Sequence, residues 1–207
     1  MKFTIRKEEL NDIIVAILGL SLAFMFAFFC NFLNYNVSCF EHPVMIIIYY
    51  LIAMLGVVTA FFGHEMMHKY VAMRNGYYAE FRKWDLGLLI SIITGMIGFV
   101  FAFPGATMIY GWLDKKTDGL VSIAGPVYNL VLGLFFIGIS FISKVLFLNE
   151  ILFFLGQINI WISMFNMLPI PPLDGSKVLR WNVTVWAIVF AIAIGLAKIC
   201  FSYIKKF

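Results

Sequence analysis

A chain of 207 residues with 63% apolar and only 13% charged residues departs far from the ~45–50% and ~25% of soluble domains, which leaves an integral membrane protein as the consistent reading. The same figures exclude intrinsic disorder and a collagen-like repeat, and three widely separated cysteines (Cys30, Cys39, Cys200) exclude a disulfide scaffold. The net charge of +4 comes from basic residues scattered singly or in pairs between apolar runs, the pattern of interfacial anchors rather than of a nucleic-acid footprint.

Crossing a bilayer takes ~20 helical residues. Five runs reach that length, roughly Ile13–Leu33, Val44–Met73, Leu120–Leu148, Ile151–Leu168 and Val183–Ile204. The first follows a polar N-terminus, Met1–Asp12, and is too long for a signal-peptide core, so it reads as a retained span. Between the second and third lies a different apolar stretch, Leu86–Trp112. It is broken by Gly87, Gly95, Gly98, Pro104, Gly105 and Gly111, with strand-favouring Ile, Phe, Val and Thr between them. It reads as short strands or a re-entrant segment, which membrane depth tolerates only under a cover of protein or along a cavity; an ordinary kinked span is the alternative. The expected fold class is an all-α polytopic membrane protein of about five to six transmembrane helices, with a re-entrant or short β-strand segment between the second and third spans. One domain is expected over residues 1–207.

Charge orients the spans. The loop Asn34–Pro43 has no Lys or Arg, whereas Lys69–Asp85 carries Lys69, Arg74, Arg82 and Lys83. The positive-inside rule puts the first outside and the second in the cytoplasm. If Leu86–Trp112 enters and returns on one side, Lys115/Lys116 and Lys177/Arg180 are cytoplasmic as well; Lys205 and Lys206 then fall outside, against the rule.

Within the second span lies Gly63-His64-Glu65-Met66-Met67-His68. Residues i and i+4 share a helix face, so His64 and His68 can grip one metal ion from one side. Zinc accepts imidazole nitrogen and, for catalysis, takes a third protein ligand and keeps an open position. Glu65 is placed to act as general base on water there. Ionisable residues inside a span are costly and mark function, although a polar patch joining helices has the same composition.

For a third ligand, His42 in the outer loop is a poor candidate. Asp174 stands out, in Asn166-Met-Leu-Pro169-Ile-Pro171-Pro172-Leu-Asp174-Gly175. The prolines stop the fourth span and force an extended path, and Gly175 permits a sharp turn that aims the carboxylate back into the bundle. Asp174 as the N-cap of the next helix is the plainer alternative. Parity separates them: a returning Leu86–Trp112 brings Asp174 to the face of His64 and His68, and a crossing one leaves it ~30 Å away.

A further polar group opens the third span, Ala124-Gly125-Pro126-Val127-Tyr128-Asn129, with Pro126 suited to a first helical turn. Asn129 is expected either to bind substrate backbone or a developing oxyanion, or to join helices. Asn166 has the same two readings, with the structural one favoured.

These pieces, in this order, resemble the site-2 protease family of intramembrane zinc metalloproteases. The resemblance rests on His64-Glu65-x-x-His68, Gly125-Pro126-x-x-Asn129 and Asn166-x-x-Pro169-x-x-Pro172-Leu-Asp174-Gly175, and covers a core of about Val44 to Arg180. It implies that His64, His68 and Asp174 bind one Zn2+ per chain, that Glu65 is the catalytic base, and that Asn129 supports substrate or transition state. Gly125, Pro126, Asn166, Pro172 and Gly175 would be supporting motif residues. It also implies β-structure between the motif-bearing span and the next, agreeing with the reading of Leu86–Trp112. Ser176 departs from the pattern, since many members carry a second glycine there. The length leaves no room for the PDZ or CBS modules of some members, so no nucleotide partner is expected.

The implied activity is hydrolysis of peptide bonds within or near transmembrane segments, in a multi-pass cell-membrane protein whose site faces the cytoplasm. The partners are a transmembrane protein substrate and the bilayer, with no nucleic acid. Two other readings remain. A membrane zinc protease of another class would use a downstream glutamate, Glu80 or Glu150, as third ligand, but both read as loop residues. A metal transporter or sensor would spread polar residues along several spans, whereas here they gather at one end of one span.

Overall fold

The structure, a computed structural model, describes residues 3–30 and 43–204, with side chains to residue 200. Most of the expected outer loop, His42 included, and Lys205 and Lys206 lie outside the described residues. In chain order the elements are α1 (Lys7–Phe28), α2 (Pro43–Val57), a π-helical turn (Val58–Phe62), α3 (Gly63–Arg74), β1 (Tyr78–Lys83), α4 (Asp85–Met96), β2 (Gly105–Tyr110), α5 (Lys115–Ile142), α6 (Leu146–Asn166), α7 (Asp174–Trp181) and α8 (Val183–Ile204). Five helical stretches are long and apolar enough to cross a membrane: α1, the continuous run Pro43–Arg74, α5, α6 and α8. The all-α polytopic architecture expected from composition is therefore the one observed, with a two-stranded sheet inserted.

Leu86–Trp112 bears out the expected short strand in one half only. Its first half is a helix, α4, and only its second half is a strand, β2. The partner strand β1 lies earlier, in the basic segment that reads as a loop, and it holds Glu80, also read as a loop residue. Residue-type preference for strand is worth under ~1 kcal/mol, whereas an apolar segment that satisfies its own backbone avoids several kcal/mol per stranded group. Helix therefore prevails wherever no strand partner is at hand. The Trp84 N–H donates to Pro104 O (2.9 Å) at one end of the strand pair, and Tyr77 Oη donates to Trp112 O (3.3 Å) at the other, so the strands run antiparallel.

The described chain forms two compact units. One comprises Thr4–Val58 and Glu80–Met108. Here α1 packs against α2 and α4, and the glycines of α4 permit close approach: Gly95 sits against the Ala23 backbone and Gly87 against Phe103 O. Ser91 Oγ donates to Phe101 O (2.7 Å) and accepts from the Phe103 N–H (3.3 Å), fastening the stretch after α4 onto the helix. Buried Glu9 of α1 accepts from the Phe81 N–H at 3.0 Å, anchoring β1.

The other unit comprises Thr59–Ala79 and the chain from Ile109 onward. Its centre is the pair α5–α6, where Gly133 and Gly156 let the helices approach and Ile160 and Ile137 fill the seam. α3 and α7 pack on α5, and α8 packs on α6 and α7. Asp114 caps α5, accepting from the N–H groups of Lys116 (2.9 Å) and Thr117 (3.1 Å); the Thr117 hydroxyl and these amides hold its carboxyl below the usual carboxylate range. α5 thus starts well before the apolar run does, and Pro126 lies inside it rather than in its first turn. Ser163 Oγ of α6 donates to Pro126 O (2.9 Å), tying the two helices at that point.

His68, midway along α3 and late in the continuous run Pro43–Arg74, contacts Val121 near the start of α5. The intervening residues thus leave and return at the same end of this unit. α4, at ~1.5 Å per residue, is also too short for a ~30 Å hydrocarbon core.

Candidate metal centre

The centre lies within the second unit. The π turn immediately precedes the histidine motif, and such turns recur at functional sites because the extra residue re-aims the side chains that follow. α3 then carries His64 and His68 on one face, with ring centroids 4.6 Å apart. Each ring is held at Nδ1: His68 donates to Val121 O (2.8 Å), and His64 lies 2.5 Å from Asn129 Oδ1. Glu65 follows His64 on the same turn and is buried with both histidines.

Asp174 comes to them by a turn that the sequence prepares locally. α6 ends at Asn166, and Pro169, Pro171 and Pro172 prevent helix until Leu173, which is the N-cap. Asp174 is therefore the first helical residue of α7 and not its cap, a position where the helix dipole favours a carboxylate. A side chain at Gly175 would run into the Met167 backbone, so only glycine permits this tightness. Trp186 Nε1 of α8 donates to Met167 O at 2.9 Å, pinning the turn from the other side.

Asp174 Oδ2 lies 3.1 Å from His64 Nε2 and 3.1 Å from His68 Nε2. The three ligand atoms all fall within 4.8 Å of one another, and the residues are buried.

The chemistry of the donor set fits a zinc ion. Tetrahedral zinc with bonds of ~2.0–2.1 Å sets its donors about 3.3 Å apart, close to the observed separations. Val121 O can only accept, so His68 carries its hydrogen on Nδ1 and turns the Nε2 lone pair toward Asp174. Lone pairs and a carboxylate converging on one point repel unless a cation lies among them.

The structure brings together His64, Glu65, His68, Asp174, Asn129 and Gly125. A Cβ on Gly125 would stand 2.6 Å from His64 Nε2. Gly125→Ala is accordingly expected to displace the His64 ring and weaken zinc binding by roughly 10–100-fold, the range for groups that orient a metal ligand. Chelator competition measures this, with helix content by circular dichroism unchanged.

Asn166 stands apart, its amide donating to Ile162 O (3.0 Å) at the end of its own helix. Pro172 shapes the turn without entering the cluster. Asn129 donates to Ala60 O (2.8 Å) and to Asn159 Oδ1 (2.9 Å), so both of its hydrogens are engaged inside the bundle. Asn159 escaped the sequence reading. The only signal was a carboxamide in an apolar span, which demands a partner without naming it.

Comparison with known proteins points to one family and to zinc metalloproteases. The profile described as peptidase family M50 matches residues 143–190. Three similar proteins are each named "putative zinc metalloprotease". One, from Methanocaldococcus jannaschii, is 34% identical over 193 residues, 90% of this chain and 91% of that protein. One from Bacillus subtilis is 31% identical over 146 residues, 59% of this chain and 65% of its own. One from Mycolicibacterium smegmatis is 32% identical over 138 residues, 56% of this chain and 51% of its own. No solved structure matches the chain.

Proposed function

The chain belongs to peptidase family M50, the site-2 protease family, and from that membership we propose that it is an intramembrane zinc metalloprotease, hydrolysing peptide bonds within or near the transmembrane segments of other proteins. The observation that carries this reading is the buried cluster of His64, His68 and Asp174 with Glu65 beside it, in a chain of apolar spans. His64, His68 and Asp174 hold one zinc ion. When bound there, zinc supplies Lewis-acid chemistry, polarising a carbonyl and lowering the pKa of water to ~7.

Glu65 takes the proton of the attacking water and returns it to the leaving amine, the work of a general base and then a general acid. Glu65 is buried beside His64, so its carboxylate works in a site from which bulk water is held back. A substrate helix hides its peptide bonds in internal hydrogen bonds, so it must unwind before it is cut. The edge of β2 not paired with β1 offers such an unwound stretch a place to add as a strand. The site faces the cytoplasm, as the basic segments around Arg74, Arg82, Lys115, Lys116 and Lys177 argue under the positive-inside rule.

The test is metal removal. Detergent-purified protein is incubated with single-span model substrates before and after stripping by a zinc chelator. Cleavage is expected to vanish on stripping and return with added zinc. Cleavage that persists at full rate in the stripped protein overturns the proposal.

A further inference from the structure

We propose that Asn159 is a positioning residue for the metal centre: acting through Asn129, it sets the tautomer of His64 and aims His64 Nε2 at the ion. This rests on the zinc reading above. Hydrogen-bond polarity carries it, because backbone carbonyls only accept. Asn159 Nδ2 lies 2.8 Å from Leu155 O, which makes that end of its carboxamide the NH2 and turns its Oδ1 toward Asn129. Asn129 Nδ2 donates to that Oδ1 at 2.9 Å and to Ala60 O at 2.8 Å. With both hydrogens engaged, Asn129 faces His64 Nδ1 with its oxygen, at 2.5 Å. That oxygen can only accept, so Nδ1 carries the hydrogen and the Nε2 lone pair is left facing Asp174.

A flipped Asn129 would set its oxygen against Ala60 O and Asn159 Oδ1 and lose both hydrogen bonds. Asn129 and Asn159 are fully buried, so those losses would go uncompensated. Ala60 belongs to the π turn, so the same irregularity that precedes the motif presents one of the two acceptors. His68 needs no such relay, since its Nδ1 partner is the backbone of Val121. The aim of His64 alone depends on a chain of side chains, and that chain is rooted on α6, away from the ligands themselves.

The test compares the full-length wild type with Asn159→Leu, which keeps the volume and removes the acceptor. Zinc alone is the probe for affinity, and Co2+ in its place reports ligand geometry through visible absorption. Gly133→Ala is the control: its methyl would meet Ile160 Cγ1 at 2.8 Å, loosening the same α5–α6 pair while removing no donor or acceptor of the relay. Asn159→Leu is expected to bind zinc roughly tenfold more weakly, at the low end for outer partners of a ligand, and to alter the cobalt spectrum. Gly133→Ala is expected to lower thermal stability and leave both readouts at wild-type values. Wild-type affinity and spectrum in Asn159→Leu, or an equal loss in Gly133→Ala, overturns the relay. Failure of the wild type itself to bind zinc counts instead against the proposed function. Should Asn159→Leu not fold, the 15N spectrum of histidine-labelled, zinc-loaded wild type decides: His64 is expected with its hydrogen on Nδ1, and a His64 whose Nδ1 carries none overturns the inference.

Discussion

Glu65→Gln leaves zinc in place and removes the chemistry. The substitution keeps the size of the side chain and its burial but takes away the group that accepts a proton. General-base contributions run at about 10²–10⁴-fold, so kcat on a membrane-spanning substrate is expected to fall by that much. Metal content should stay at the wild-type level, because the ligand cluster is His64, His68 and Asp174 and does not include Glu65. The pair of measurements matters more than either alone. Loss of activity together with loss of metal would point to a misfolded variant, and wild-type cleavage by Glu65→Gln would falsify the proposed mechanism.

Asp174→Ala has the opposite signature. Removing the carboxylate deletes the oxygen that stands 3.1 Å from both histidine nitrogens and leaves two donors on one helix face. Outer-shell partners of a metal ligand are worth ~10–100-fold in affinity, so the loss of a ligand itself is expected on the order of 10³-fold or more. Atomic absorption on detergent-purified protein reads it directly, as near-stoichiometric zinc in the wild type and little in the variant. Activity falls with the metal. Full retention of zinc would mean that another residue completes the site, and would remove the reason for bringing α7 to α3. Because Asp174 also opens α7, Asp174→Asn serves as the companion variant: it keeps the side-chain shape at that helix start while lacking the charge.

Much of the site could be read before any fold was known, and for a physical reason. The i, i+4 spacing of His64 and His68 is a property of one helix, so the two imidazoles share a face wherever that helix goes. The run of prolines before Asp174 likewise acts locally, forbidding helix until Leu173. Even the return of Leu86–Trp112 followed from one-dimensional information, since the positive-inside rule and the need for a third ligand both required it. What misled was residue preference within that stretch. The Ile and Thr content of residues 86–96 suggests strand, yet the segment is helical because it packs its glycines on α1 and satisfies its own backbone. Pro126 misled in the same way, marking a helix start by habit where the capping carboxylate of Asp114 had already begun the helix upstream.

Sequence by itself determined that this is a polytopic membrane protein with a two-histidine, one-glutamate motif in its second span and a carboxylate delivered by a proline turn. Each of those is a matter of composition or of neighbours within a turn or two of chain. Only the tertiary structure decided that Asp174 reaches both histidines, that Gly125 is the space into which His64 fits, and that Asn159 meets Asn129 and Asn129 meets the ring of His64. Those contacts join residues 30 to 110 positions apart. Nothing local encodes which of several buried carboxamides will meet; that is settled when α5 and α6 close on their glycine seam, and every buried donor must then find its acceptor.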